Sequence, residues 1–496
     1  MELMGVGLLG CGTVGSGVAE LLLQYADRLS KRAKRRLELK YILVRDRSRK
    51  RPIPIPEKLF ASDIATIIND KQIEVVIELM GGVTEARHYV LAAIQQGKHI
   101  VTANKALIAE CGIELFEAAR QHGVTICFEA SVAGGVPIIG TLAQSMSANQ
   151  LTGIQGILNG TSNFILSSMS DEGKTYGEAL QEAQRMGYAE ADPRLDVDGS
   201  DAAHKLAILA QIAFGINVNG NSIERMGIDK VHAMDIRFAS ELGYTIKMLA
   251  EGWLTEGEVA LHVAPVLLRK TEMLAQVRGV NNAIQVIGDV VGDTLYQGPG
   301  AGRMPTASAV VADLIDLAIG RAQKTFDAAN LWTPAGRGYS QRPASKVHSR
   351  FYLRVLVEDR PGMLADVARV LADRSISIAS VIQHEAVDFE AYLKGMNKTS
   401  AQLTTEIGNK TTINRSNIRG GSFAGTGTIL PSLIQPSNSD ANLSHPTDSN
   451  HEHFNDIVPL VIMTHYAPTG NFRDSVSLID HLPGVKGAAV YYSVDD

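Results

Sequence analysis

Apolar residues along the chain fall into short blocks set between longer stretches of helical spacing. Residues 6–9 are one such block. They lead into the glycine-rich GCGTVGSGV, and residues 19–29 then repeat apolar positions at helical intervals, which reads as strand, turn and helix. Similar blocks at 39–44, 75–79, 99–101 and 125–128 alternate with helical stretches such as 90–96 and 113–122. This alternation predicts a parallel sheet covered by helices on both faces. From about residue 136 the helices lengthen, with 174–186 and 202–214 the clearest, and a strand-like run at 261–268 marks a second, α+β unit.

WTPAGRGYSQRPASKV, residues 332–347, is rich in proline, glycine and serine and reads as a linker. Beyond it come a strand at 349–358, the turn and amphipathic helix DRPGMLADVARVLADR, and a strand at 378–384. Residues 387–455 are dense in Asn, Ser and Thr and hold few large apolar side chains, so they cannot bury enough surface to offset chain entropy. Order resumes with a strand at 457–464, a helix at 471–480 and a strand at 485–494. Without the polar insert this is a β-α-β-β-α-β unit of ferredoxin-like form, interrupted at a hairpin where insertion costs little. The expected spans are 1–135, 136–325, a linker at 326–348, and 349–496 with the insert at 387–455.

Length and composition narrow the function. A chain of 496 residues needs several cores. Hydrophobic residues are 45% and charged residues 20%, and the net charge of −6 gives no reason to expect nucleic acid or anionic lipid as a partner. RLSKRAKRR, residues 28–36, reads as a solvated helix end. The three cysteines, Cys11, Cys111 and Cys127, form no CxxC pair, so neither a disulfide framework nor structural zinc is expected. With no signal-type leader and no apolar run of membrane length, the expected setting is the cytoplasm, with no membrane partner.

The candidate chemistry begins at Gly10-Cys-Gly12-Thr13-Val14-Gly15, a GxGxxG placed after a strand and before a helix. In that context the first glycine makes the turn, the second admits a pyrophosphate, and the third lets helix and sheet pack, as in Rossmann-like dinucleotide-binding units. The second strand ends Val44-Arg45-Asp46. An arginine there suits the 2′-phosphate of NADP, and the adjacent Asp46 leaves NAD open. ELMGGVT at 78–84 suits packing against the nicotinamide ribose, and Lys105 in TANK ends the next strand, where open α/β sheets bind ligands.

Most informative is GYAEADPRLDVDGSDAAHK, residues 187–205, which gathers carboxylates ahead of a helix carrying Asp201 and Lys205 at i,i+4 spacing. The plain reading is a helix cap and surface ion pair. The alternative is a site in which carboxylates hold a substrate ammonium and a lysine protonates an alkoxide. A calcium loop is excluded, because the required glycine and terminal glutamate are out of place.

Together, GCGTVG, TANKAL, FEASVAGGVPII, GILNGTSNFIL, GYAEADPRLDVDGSDAAHKL and GAGRMPTASAV resemble homoserine dehydrogenases, in that family's order and up to about residue 321. The resemblance implies NAD(P)H-dependent, reversible reduction of L-aspartate 4-semialdehyde to L-homoserine, toward threonine, methionine and isoleucine. It implies that Lys205 is the proton donor and that Lys105 contacts cofactor and substrate. Glu190, Asp196 and Asp201 would hold substrate. Gly187, Glu190 and Gly302 would touch cofactor beside Gly10, Gly12, Thr13, Val14, Gly15, Arg45 and Lys105. A monovalent cation, sodium, would sit at Glu129, Val132, Gly134 and Val136.

The terminal unit resembles an ACT domain, which implies an amino-acid effector, threonine, acting on a homodimer or homotetramer. Catalysis is expected to survive truncation near Pro343. A semialdehyde-oxidising enzyme would need a nucleophilic cysteine in the second unit, and none follows Cys127. The alternative from another class is an inactive amino-acid sensor built on the same fold.

Overall fold

The computed structural model describes residues 1–334, 336, 338–383 and 457–495. The polar insert expected at 387–455 lies outside the described residues.

The first unit runs β1 (Leu3–Leu9), α1 (Thr13–Gln24), α2 (Ala26–Ala33), β2 (Arg36–Leu43), β3 (Phe60–Ala61), α3 (Ala65–Ile68), β4 (Ile73–Glu78), α4 (Thr84–Gln95), β5 (His99–Thr102), α5 (Lys105–Gln121) and β6 (Ile126–Cys127). Its six strands are parallel in the order β3-β2-β1-β4-β5-β6. Successive side chains of a strand point to opposite faces, and both faces are buried. Val75, Ile77 and Val101 enter one core with Val18 and Leu22 of α1, while Val76 and Ile100 enter another with Ala93 and Leu107. Burial on both sides is why these strands read as unbroken apolar blocks.

The second unit holds β7 (Leu151–Ile157), α6 (Gly160–Glu172), α7 (Tyr176–Arg185), α8 (Arg194–Val197), α9 (Ser200–Phe214), β8 (Glu224–Arg225), α10 (Ala233–Glu241), β9 (Tyr244–Thr255), β10 (Glu258–Arg269), β11 (Asn281–Gly288) and β12 (Gly292–Pro299). Then α11 (Arg303–Ala318) returns to the first unit. Its Ala307, Val310, Leu314 and Leu317 share the core of Val18 and Leu22. In sequence α11 lies far beyond 1–135; in packing it completes that layer.

The linker expected at 326–348 is corrected in its first part. Residues Arg321–Ala329 form α12, the Phe326 ring stacks 5.5 Å from that of Phe116, and Trp332 is buried 4.4 Å from Phe116 and 5.3 Å from Phe128. Large aromatic side chains bury enough apolar area to hold this stretch against the first unit despite its turn-forming neighbours.

The last unit contains β13 (Ser340–Gln341), β14 (His348–Glu358), α13 (Met363–Ala372), β15 (Ile378–Gln383), β16 (Ile457–Thr464), β17 (Ala467–Pro468), α14 (Thr469–Ile479) and β18 (Val490–Asp495). The expected β-α-β-β-α-β order is present, with sheet order β18-β14-β16-β15. The rings of Phe351 and Phe472 stack 3.9 Å apart on its helical side. β18 also pairs in parallel with β10, Val266 opposite Ser493 through Leu268 opposite Asp495, so the sheets of the second and third units join. The open face of the terminal sheet lies on α10, where Asp235 bonds Arg354 and Tyr352. Among the described residues no helix is long and apolar enough to cross a membrane.

Candidate active site

The glycine fingerprint forms the expected strand-turn-helix. Gly10 has φ +93°, and a Cβ there would meet Leu79 O at 2.6 Å, so only glycine makes this turn. At Gly12, by contrast, an added Cβ meets no protein atom within 4 Å. Bare backbone that faces open space is suited to a ligand's close approach. Helix α1 starts at Thr13, Val14 and Gly15 with no side-chain cap and no acidic residue in its first turn, which leaves its positive end for an anion. These residues fit a dinucleotide pyrophosphate.

At the tip of β2 the arginine placement is more specific than the sequence suggested. Arg45 is exposed and ion-paired with Glu85 of α4. Asp46 turns back on its own loop, accepting from Ser48 N at 2.8 Å and Ser48 Oγ at 2.6 Å, and these bonds hold its carboxyl below the usual value. Arg47, Arg49 and Arg51 line a cavity of about 370 Å³ together with Ile53, Ile55, Glu57 and Phe60. Arg51 is held by Asp46 O at 2.8 Å and lies over the Phe60 ring. The sequence reading missed this arginine group, whose alternate spacing after β2 was the available signal.

Across the sheet, buried Glu78 accepts from Thr102 Oγ1 at 2.7 Å and Met80 N at 2.8 Å, and burial raises its pKa despite these bonds. Asn104 caps α5 by accepting from Leu107 N at 3.1 Å and donates to Gly82 O at 2.7 Å. The cap fixes the start of α5 and so places Lys105, its first residue, in the crevice facing the second unit.

There the three residues expected to carry the chemistry meet. Asp201, on the first turn of α9, has Lys105 Nζ 2.6 Å from Oδ1 and Lys205 Nζ 2.8 Å from Oδ2. Lys205 also donates to Leu158 O at 2.6 Å. Burial pushes the Asp201 carboxyl up, but the charges of Lys205 and Lys105 outweigh it and hold the group well below the ordinary range. The expected surface ion pair is therefore a partly buried three-residue cluster spanning two units.

Asp196, in α8, accepts from Asn159 Nδ2 at 3.1 Å, and the same amide donates to Asp201 Oδ2 at 3.0 Å. Gly187 (φ +75°) and Glu190 are exposed on the loop after α7. Gly302, at φ +126°, caps α11, whose Arg303 pairs with Glu20 of α1. Glu129 accepts from Ile139 N at 2.9 Å and Gly140 N at 2.7 Å, close to the turn through Val132, Gly134 and Val136. Among the described residues no group of three or more His, Cys, Asp or Glu side chains could hold a metal.

A dinucleotide-binding sheet, a lysine-carboxylate cluster at its crevice and an appended ACT unit define a nicotinamide-dependent oxidoreductase. Comparison with known proteins makes the assignment particular. The family description "Homoserine dehydrogenase" matches residues 137–315, its NAD-binding domain matches 10–129, and the ACT domain matches 351–393. The chain is 45% identical over 395 residues to the homoserine dehydrogenase of Pseudomonas aeruginosa, covering 78% of this chain and 89% of the relative. It is 43% identical over 391 residues to that of Neisseria gonorrhoeae, covering 78% and 90%. The crystal structure of a homoserine dehydrogenase from Thiobacillus denitrificans matches with TM-score 0.80 at 35% identity, over 100% of this chain and 99% of that one. The chain belongs to the homoserine dehydrogenase family. Nothing in the site or the comparisons favours the alternative of an inactive sensor.

Proposed function

We propose that the chain reduces L-aspartate 4-semialdehyde to L-homoserine, reversibly, in the crevice between the first two units, with NADPH as the preferred donor. The observation that carries this is the bridging of Lys105 and Lys205 by Asp201. A nicotinamide dinucleotide held there would supply the hydride for the aldehyde carbon. Gly10, Gly12 and the first turn of α1 would hold its pyrophosphate, and Gly302 would border it. The loop of Arg45, Arg47, Arg49 and Arg51 favours a 2′-phosphate, because Asp46, the carboxylate next in line for a ribose diol, is already bonded to Ser48.

As the carbonyl carbon is reduced, negative charge gathers on its oxygen. Lys205, held in place by Asp201 and Leu158 O, gives that oxygen a proton, and in the reverse direction takes it from the alcohol. Lys105 adds positive charge at the same oxygen from the first turn of α5. Asp196 and Glu190 are assigned to the substrate ammonium. Steady-state reduction of aspartate semialdehyde with each cofactor tests the reading, and absence of turnover with both overturns it.

A hard monovalent cation suits the region of Glu129. Burial raises the pKa of Glu129 and pushes that of Asp313 well up, with the Glu129 charge adding to the cost at Asp313. Asp313 Oδ2 accepts from Glu129 N at 3.0 Å. The Glu129 carboxylate and main-chain oxygens of the adjacent turn through Val132, Gly134 and Val136 would be the oxygen ligands that suit sodium. The ACT unit is assigned to an amino-acid effector, threonine, and inhibition by threonine in the same assay is the expected result.

A further inference from the structure

Two side chains in the first turn of α6, Thr161 and Ser162, are bonded to the carboxylate loop. Thr161 Oγ1 donates to Tyr188 O at 2.6 Å, and Ser162 Oγ donates to Asp196 O. Asn159, the N-cap, is 7% exposed, and its Oδ1 accepts from Ser162 N at 2.8 Å. With its oxygen committed to the cap, the amide can only turn its NH2 outward. One hydrogen meets Asp196 and the other meets Asp201. A single planar group thus sets the separation of two carboxylates that would otherwise repel across a poorly solvated gap.

We propose that Asn159 is a positioning residue for the reaction. Its amide locks the carboxylate assigned to substrate, Asp196, and the carboxylate that aims Lys205 and Lys105, Asp201, into one rigid unit. This rests on the roles proposed above for Asp196, Asp201 and Lys205. The side chain touches no reacting atom; it acts through the two acids, each of which needs a fixed orientation for its own task.

Cap chemistry provides a clean test, because Asn, Asp and Ser are about equally good N-caps. If Asn159 only caps α6, Asn159→Ser and Asn159→Asp behave like the parent. If it positions the acids, Asn159→Ser loses the double donor, and Asn159→Asp also places a third negative charge against Asp196 and Asp201. The expected order of kcat/KM for aspartate semialdehyde, from highest to lowest, is then parent, Asn159→Ser, Asn159→Asp. The first step should be roughly ten- to hundredfold, the worth of a charge-assisted hydrogen bond. In Asn159→Ser the loss should fall on kcat and on the KM for the aldehyde, with the cofactor KM changing less than about twofold and Tm little altered.

The charged groups around position 159 are Asp196 and Asp201, with Lys105 and Lys205 beyond Asp201. Once protonated, the carboxyl introduced by Asn159→Asp would again be a donor, so the activity of that variant relative to the parent should recover as pH falls. Parent-like kcat/KM in Asn159→Ser overturns the proposal, as does equal behaviour of the two variants. Asp201→Asn separates the two levels. Full turnover in that variant defeats the site reading itself, whereas an inactive Asp201→Asn beside a normal Asn159→Ser defeats only the role of Asn159.

Discussion

Arg354 and Asp235 form a two-point ion pair shielded from solvent, with Nε 2.6 Å from Oδ1 and Nη2 3.1 Å from Oδ2 and side-chain exposures of 4% and 0%. Tyr352 adds a hydroxyl bond to Oδ1 at 2.9 Å, and Tyr492 reaches Oδ2 at 3.4 Å. Asp235 belongs to α10 of the catalytic body and its three partners to the terminal sheet, so this cluster fastens the two together.

Removing Arg354 leaves Asp235 buried without this counter-ion, and removing Asp235 takes from Arg354 a partner it meets at two points. Arg354→Met or Asp235→Leu alone should cost about 3 to 5 kcal/mol of stability, while the double variant should cost clearly less than the sum. Denaturant melts of the four proteins measure the coupling, and strict additivity would mean that the pair is not the fastening.

Lys205→Ala should lower kcat about 10² to 10⁴-fold with the fold intact, because the developing alkoxide then has no placed proton donor. Lys105→Ala should put a larger share of its loss into the KM values of cofactor and aldehyde. Near-parent kcat in purified Lys205→Ala would remove that lysine from the chemistry.

At the end of β2, the double variant Arg47→Ala/Arg49→Ala should raise the KM for NADPH about tenfold or more and leave that for NADH nearly unchanged. Arg45→Ala should do the same to a smaller degree, because its guanidinium is shared with Glu85. Equal effects on both cofactors would place the 2′-phosphate elsewhere.

Lys247 lies fully inside the second unit and donates to Asn163 Oδ1 at 2.9 Å and Val277 O at 2.5 Å. Burial, assisted by the charge of Arg278 and opposed by Asp171, lowers its pKa from 10.5 to about 7. Between those values the unfolded chain carries a proton that the folded chain lacks, so folded stability rises with pH across the window. The slope is at most about 1.4 kcal/mol per pH unit. The stability difference between the parent and Lys247→Met should show this slope above pH 7 and flatten below it. A flat difference throughout would mean that Lys247 stays charged.

How far the sequence could be read depended on how far apart the interacting residues lie. The blocks of β1, β4 and β5 were legible because burial on both faces makes them uniformly apolar, and Asp201 and Lys205 because a helix brings i and i+4 together. The return of α11 to the core of α1 left no such mark, since its apolar stripe is that of any packed helix. Asn159 was equally silent: an asparagine before a helix reads as a cap, and its second task exists only once the loop of Asp196 has folded over it. Trp332 misled because the proline and glycine around it outweighed one aromatic in the local pattern, whereas its burial is decided by Phe116 and Phe128, far away in the chain.

The hydrogen-bonded seam between β10 and β18 bears on how a signal from the terminal unit can travel. A tethered regulatory module can swing on its linker; one whose strands continue the catalytic sheet cannot rotate without tearing the pairing from Val266 to Leu268. A movement of the terminal unit that keeps this pairing would have to be shared with β10 and its partner β9, and so with α9, which packs on both strands and carries Asp201 and Lys205. The same continuity makes truncation near Pro343 less innocuous than the linker suggested, since it leaves β10 with an unsheathed apolar edge that invites association with another chain.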